Sequence, residues 1–249
     1  MNFIMIPGPW QGAWIWESVV RRLHEMGHRA YPITLTGLAA DAAADVSSIG
    51  LRTHINDILR AVEENDVRDA IIVAHSLSGV VGGVAADRIP ERVARVVYLE
   101  AFVPRAGQAV LDAFPAPLGE EERRLIDESG GRWPVPDSSV IADGQGITPK
   151  QADWLVRHSV DHPGRPLCEP VTLSRPAARQ KAVYVVCSGD HFDDALAADV
   201  EPLRAEPTWS FRTLDAGHWP MISAPDDLAA LLDDVAREAS LEVSRASTT

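Results

Sequence analysis

The stretch from residue 71 to residue 79, Ile-Ile-Val-Ala-His-Ser-Leu-Ser-Gly, constrains the fold of this chain more than any other. Its apolar, β-branched opening predicts a strand buried on both faces, as in a parallel sheet. The chain then turns at Ser76, and the small apolar run from Gly79 to Ala86 predicts a helix packed closely on that sheet. A strand, a sharp turn with a serine at its tip and a close-packed helix are together typical of a nucleophile elbow.

The elbow motif is usually Gly-x-Ser-x-Gly, and the small residues Ala74 and Ser78 take its two glycine positions here. A bulky side chain two residues from the serine would collide with the strained turn. Ser76 has an alternative role as an ordinary helix N-cap, which serine also supplies. Other residues of the chain must decide whether Ser76 is a nucleophile or a helix N-cap.

Predicted strands and helices alternate along the chain. Strands are predicted over 3–6, 29–35, 70–75, 93–101, 183–187 and 210–214, and helices over 13–27, 51–65 and 225–239. This alternation predicts an α/β fold with a doubly wound, mainly parallel sheet. The polar tail from residue 241 to residue 249 is expected to be frayed.

Residues 105–180 carry no strand signal. Within them, a helix is predicted near Pro149 to His158. We interpret this interval as an inserted helical cap over the ends of the strands, where such sheets bind their ligands. Residues 1–104 and 181–249 then form the core domain.

Composition limits the possible partners. The formal net charge of −13 argues against nucleic-acid binding, because few basic groups remain to neutralise phosphates. No apolar stretch approaches the length of a membrane span, and no targeting signal is visible, so we expect a cytoplasmic protein, a monomer or a homodimer. The two cysteines, Cys168 and Cys187, are expected to be reduced thiols. Neither a glycine-rich dinucleotide turn nor metal-ligand spacing is present, so no cofactor is predicted and the expected partner is a small-molecule substrate.

A serine hydroxyl becomes a good nucleophile only when a base takes its proton and an acid orients that base. The segment from Tyr184 to Asp190 predicts a strand that ends at an acid, and the segment from Thr213 to His218 predicts a strand followed by a glycine turn with a histidine. The order Ser76, Asp190, His218 is the order that this architecture uses.

Other acids compete with Asp190 for the third position. Glu100 also ends a predicted strand and is the main alternative, and Asp193 and Asp194 lie nearby in the sequence. His75, beside the nucleophile, is expected to pack beneath the loops rather than to react.

The chain resembles the α/β-hydrolases, and within them the small-cap branch that holds plant-type esterases and hydroxynitrile lyases. The matching stretches span the whole predicted core: 3–16, 35–37, 74–79, 97–104, 188–190 and 217–221. The resemblance implies that Ser76 is the nucleophile, His218 the base and Asp190 the acid.

The first loop departs from this family's pattern. The family usually has His-Gly-x, and the N–H of x joins the N–H after the serine, here that of Leu77, to form the oxyanion hole. This chain has Pro7-Gly8-Pro9, and proline carries no N–H. Either the N–H of Trp10 or a side chain replaces the missing donor, or the reaction needs no tetrahedral oxyanion.

Three hypotheses on function follow. The first is a serine hydrolase that acts on an ester or thioester of a small, largely apolar or aromatic acid. The second, motivated by Pro9, is a non-hydrolytic enzyme of the same fold, a lyase or cyclase that shuttles protons in an elimination or rearrangement. The third is a binding protein on a degraded hydrolase scaffold. Trp10, Trp133 and Trp219 lie on loops expected to face the cleft, where they either contact a flat substrate or pack under the cap.

Overall fold

A computed structural model describes residues 1–40, 45–188 and 200–246. Its strands are β1 (Asn2–Ile6), β2 (Arg29–Pro32), β3 (Ala70–His75), β4 (Val93–Leu99), β5 (Arg132–Trp133), β6 (His162–Pro163), β7 (Ala182–Cys187) and β8 (Trp209–Leu214). Among the described residues, six strands form one sheet in the order β2-β1-β3-β4-β7-β8, and all neighbours in it are parallel. The predicted parallel sheet is confirmed.

Helices cover both faces of this sheet. They are α1 (Glu17–Glu25), α2 (Leu51–Glu64), α3 (Ser78–Arg88), α4 (Leu118–Glu128), α5 (Ser138–Ala142), α6 (Pro149–His158), α7 (Arg165–Cys168), α8 (Pro220–Ser223) and α9 (Pro225–Ala246). In β3, Ile72 and Ala74 join the core cluster that contains α2 and α3. Ile71 and Val73 join the opposite cluster, with α1 and α9. This burial of both faces explains the continuous apolar sequence of β3.

Some predicted element bounds are wrong. β2 ends at Pro32 rather than at residue 35, since proline lacks the N–H that a longer ladder needs. The predicted helix over 13–27 starts with a 3₁₀ turn over Ala13–Trp16 and becomes α-helical only at Glu17.

The tail predicted to be frayed is helical as far as Ala246. Two carboxylates on this last part of α9, Glu238 and Glu242, form ion pairs with the buried guanidinium of Arg95. The polar composition of residues 241–249 does not reveal this pairing, so the predicted helix over 225–239 ends too early.

Residues 105–180, which we call the cap segment, consist of short helices and one antiparallel pair, β5 with β6. The carboxylate of Glu169 in this segment accepts the backbone N–H of Leu51 at 2.7 Å, which satisfies a free donor at the start of α2. The segment is thus joined to the core by specific polar contacts as well as by apolar packing. Cys168 and Cys187 form no disulfide, in agreement with the prediction of reduced thiols. In the described part of the chain, no helix is both long enough and apolar enough to cross a membrane.

Candidate active site

Ser76 lies at the tip of a tight turn between β3 and α3. Its φ of +56° falls in the left-handed region, which residues other than glycine rarely adopt. Its N–H donates to the carbonyl of Leu99 at 3.1 Å, and its carbonyl accepts the N–H groups of Gly79 and Phe102 at 3.0 and 3.1 Å. These bonds to the end of β4 hold the strained turn in place.

Small residues around this turn have a steric purpose. A Cβ on Gly79 would lie 2.2 Å from the carbonyl oxygen of Phe102, which no side chain tolerates. The loop after β4 therefore approaches α3 only because residue 79 is a glycine.

His218 is brought to Ser76 by the turn that follows β8. Its Nε2 lies 3.1 Å from Ser76 Oγ, although the two residues are 142 positions apart in the chain. Both side chains are largely buried. This is the separation that a base needs in order to accept the proton of the hydroxyl.

His75 holds the backbone of His218 in position. It is completely buried, and its Nε2 lies 2.7 Å from the carbonyl oxygen of His218. Because a carbonyl can only accept, Nε2 of His75 carries the proton and donates it. The sequence predicts only that His75 packs under the loops, and it gives no sign of this contact with the backbone of His218.

The predicted acid, Asp190, lies outside the described residues, as do Asp193 and Asp194. The alternative acid, Glu100, follows β4 with a φ of +44° and is 1% exposed. Its carboxylate accepts a hydrogen bond from the backbone N–H of Cys187 at the end of β7. That bond holds the Glu100 carboxylate against the end of β7.

The backbone N–H groups of Leu77 and Trp10 have no acceptor in the described part of the chain. Both residues line the same cavity as Ser76, together with Pro9. A buried N–H is normally paired in a native structure, so an unpaired one in a catalytic cavity suggests a donor reserved for a ligand.

Trp10 is held in an unusual conformation by the cap segment. Its φ is +66°, again in the left-handed region. Its carbonyl accepts the N–H of Val160 at 2.8 Å, and its indole N–H donates to the carbonyl of Trp133 at 3.1 Å. The two indole rings also contact each other, with centroids 4.3 Å apart. The cap segment thereby fixes the backbone of a residue in the first loop.

A cavity of about 230 Å³ opens above Ser76. Its wall is mostly apolar and includes all three predicted tryptophans, at positions 10, 133 and 219. The other apolar lining residues are Pro9, Leu77, Phe102, Phe114, Leu118, Pro136, Val140 and Ile141. The structure therefore brings the predicted residues of the core and of the cap segment to one cavity.

Two polar residues in this wall were not predicted. Glu122, on α4, accepts a hydrogen bond from the indole N–H of Trp133. Gln145, between α5 and α6, is 5% exposed, and its Oε1 has no hydrogen-bond partner among the described residues. Neither residue belongs to a local motif, so nothing in the sequence would have identified it.

A second histidine pair connects the cap segment to α2. The rings of His54 and His162 meet edge to face, with centroids 5.4 Å apart, and both residues are buried. Burial, together with the nearby His54, lowers the pKa of His162 to about 3, against the hydrogen bond to the carbonyl of Pro163, which raises it. Burial also lowers the pKa of His54, against the carbonyl of Thr36 and the carboxylate of Asp57, which raise it.

The fold and this arrangement of a strained serine, a histidine and a covered cavity define a hydrolase class, and the comparison of sequences agrees. The model of the alpha/beta hydrolase family matches residues 3–231, and the chain belongs to that family. Within that family, several proteins similar to this chain carry the names of esterases.

Among the similar proteins is the carbendazim hydrolyzing esterase of a Nocardioides species, 29% identical, over 93% of this chain and 98% of the relative. Methylesterase 9 of Arabidopsis thaliana is 24% identical, over 94% of this chain and 98% of the relative. Among solved structures, an extracellular alpha/beta-hydrolase from a Paenibacillus species superposes with a TM-score of 0.82 at 22% identity, and the alignment covers 93% of this chain and 97% of that one.

Proposed function

We propose that this protein hydrolyses esters or thioesters of small, largely apolar or aromatic acids with a triad of Ser76, His218 and Asp190. The observation that carries the proposal is the 3.1 Å contact between His218 Nε2 and Ser76 Oγ on the floor of an apolar cavity. Relatives named for carbendazim hydrolysis and as methylesterases support an ester-type substrate. At about 230 Å³, the cavity is smaller than the roughly 300–1,000 Å³ typical of sites for drug-sized ligands, which favours a small ester.

The reaction begins when Ser76 Oγ attacks the ester carbonyl while His218 Nε2 takes the hydroxyl proton. The C–O bond to the alcohol then breaks, and His218 returns the proton to the leaving oxygen. A water molecule attacks the acyl-serine in the same way, with His218 as the base, and the acid is released. Asp190 keeps the imidazole in its reactive orientation and stabilises its positive charge.

The oxyanion of each tetrahedral intermediate is bound by the N–H groups of Leu77 and Trp10. Pro9 occupies the position that usually supplies the second donor, but it has no N–H. Trp10, the next residue, has an N–H without an acceptor in the described part of the chain, and it lines the cavity. A complete hole matters because one missing donor typically costs about 100- to 1,000-fold in turnover.

Pro9 also favours a second candidate function, a non-hydrolytic reaction of the lyase or cyclase kind in which the Ser76–His218 pair moves protons. Such an enzyme would bind ligands in the cavity with almost no ester turnover. The predicted cytoplasmic location and the state as a monomer or homodimer stay predictions.

The test compares the hydrolysis of p-nitrophenyl acetate and butyrate by the native protein and by Ser76→Ala. We expect kcat/KM to fall at least about 10,000-fold, since the nucleophile is lost. Ser78→Ala is the matched control, because it removes a buried hydroxyl two residues away and leaves Ser76 and His218 in place.

Covalent labelling of Ser76 by a fluorophosphonate probe is expected in the native protein and in Ser78→Ala, but not in Ser76→Ala. Equal ester turnover in all three proteins would contradict the assignment of Ser76. A folded native protein with neither labelling nor turnover would favour the second candidate.

A further inference from the structure

Gln145 is a buried polar side chain in an otherwise apolar part of the cavity wall. It is 5% exposed, and its neighbours in the cavity lining include Val140, Ile141 and Trp219. Its Oε1 is fully shielded from solvent and has no hydrogen-bond partner among the described residues. Most buried side-chain oxygens in native proteins are paired, so this one needs an explanation.

Packing does not explain why a polar side chain occupies position 145. The backbone of Gln145 is in close contact with Gly217, whose Cβ, if present, would lie 1.8 Å from the carbonyl oxygen of Gln145. That contact fixes where residue 145 runs, but it places no demand on its side chain. A leucine or methionine would suit the apolar surroundings without leaving a carbonyl oxygen unpaired.

A second unpaired polar atom belongs to another residue of the same cavity wall. Trp219, directly after His218, is 6% exposed, and its indole Nε1–H has no acceptor in the part of the chain that the structure describes. The cavity wall thus holds an acceptor on Gln145 and a donor on Trp219. A carboxamide remains a hydrogen-bonding group even if its oxygen and nitrogen exchange places.

We propose that Gln145 binds a hydroxyl or N–H group of the substrate, so that the enzyme prefers esters with a flat apolar body and one hydrogen-bond donor over hydrocarbon esters of the same shape. The inference rests on the proposed function and adds the substrate's polar group to it. A hydroxyl group of the substrate can also accept a hydrogen bond from the indole N–H of Trp219. An aromatic amine is a poor acceptor for that N–H. Hydrogen-bonding sites discriminate against analogues without the matching group because their own buried polar atoms then stay unpaired.

The experiment measures kcat/KM for methyl benzoates that carry a hydroxyl, amino or methyl group at the ortho, meta or para position. Hydroxyl and methyl groups are similar in size. The ratio of kcat/KM for the hydroxyl ester to kcat/KM for the methyl ester at the same ring position therefore reports the hydrogen bond. For the native protein we expect a ratio of about ten at one position, which corresponds to one neutral hydrogen bond. In Gln145→Leu and Gln145→Met we expect this ratio to fall to about one.

Gln108→Leu is the matched control, since Gln108 is exposed and its side chain makes no hydrogen bond among the described residues. It should leave the ratio unchanged. Trp219→Phe keeps an aromatic ring but removes the N–H, and it should reduce the preference for hydroxyl esters more than that for amino esters. Thermal melting of each variant checks that it folds.

Binding of the same esters to Ser76→Ala, measured by calorimetry, gives a second readout that needs no turnover. The hydroxyl-to-methyl ratio of dissociation constants should change about tenfold when Gln145→Leu is added to Ser76→Ala. If the native protein cleaves the esters but neither ratio changes in the Gln145 variants, the role of Gln145 is overturned and the proposed function stands. If no ester is cleaved but the binding ratio changes, the proposed function fails and the role of Gln145 stands.

Discussion

The two walls of the active-site cavity are held in different ways. Ser76, Leu77 and His218 follow the ends of β3 and β8, strands of a six-stranded parallel sheet with both faces buried. The opposite wall comes from the cap segment, whose only strands in the described residues are the two-residue β5 and β6. Long strands with fixed register position reacting atoms, whereas short elements joined by loops can change without disturbing the sheet. From this difference we expect the core wall to carry the chemistry and the cap wall to determine selectivity.

The largest effect is expected within the core wall, where it separates the two candidate acids. Asp190→Asn should lower kcat by about 10,000-fold, because the histidine loses the carboxylate that orients it. Glu100→Gln should lower kcat less than about tenfold, but it should lower the melting temperature, since a neutral amide oxygen accepts the N–H of Cys187 more weakly than the carboxylate does. The reverse ranking of kcat would make Glu100 the acid of the triad.

The next effect is expected where the two walls touch. Gly217→Ala would place a Cβ against the backbone of Gln145 and must shift either the cap segment or the turn that bears His218. We expect kcat/KM to fall about 100-fold, the cost of a displacement of roughly 1 Å at a reacting group. Gly107→Ala is the control for backbone strain alone, since a Cβ there meets nothing within 4 Å although its φ of +81° disfavours an alanine. Turnover within threefold of the native value in Gly217→Ala would show that the contact is not needed for alignment.

A smaller effect concerns the joint between the cap segment and α2. The pKa of His162 is about 3 in the folded protein and 6.5 when exposed, so between these values the unfolded chain binds more protons. The free energy of unfolding should therefore fall as the pH falls below 6.5, by up to about 1.4 kcal/mol per pH unit. Chemical denaturation of the native protein and of His162→Phe at pH 7, 6 and 5 measures this slope.

His162→Phe should reduce the slope, and His24→Phe, at an exposed position on α1, should not. An unchanged slope in His162→Phe would mean that other groups cause the loss of stability in acid.

The smallest effect is expected at Pro9. Pro9→Ala adds an N–H where the family usually has its second oxyanion donor. If Trp10 already supplies this donor, kcat for p-nitrophenyl acetate should change less than about threefold. A rise of about 100-fold would instead mean that the native hole lacks a donor, since one donor contributes roughly that much.

The sequence predicted the core wall far better than the cap wall. Ser76 and His218 could be found because each follows an apolar strand by a tight turn, and parallel strands bring such ends to one edge. Gln145 and Glu122 could not, because their roles depend on how short helices fold back over that edge. The same limit applies to the end of α9, where Arg95 pairs with carboxylates more than 140 residues away. Local patterns carry no information on such long-range contacts.

The attachment of Trp10 has a consequence for engineering. Val160 and Trp133 together fasten the first loop through its backbone and its indole, so any chimaera that receives a foreign lid also receives foreign anchors for that loop. If Trp10 supplies an oxyanion donor as proposed, a graft meant only to broaden the range of accepted esters is expected to slow the acylation step as well. Libraries that diversify positions 136 to 145 but leave residues 133 and 160 untouched should escape this penalty.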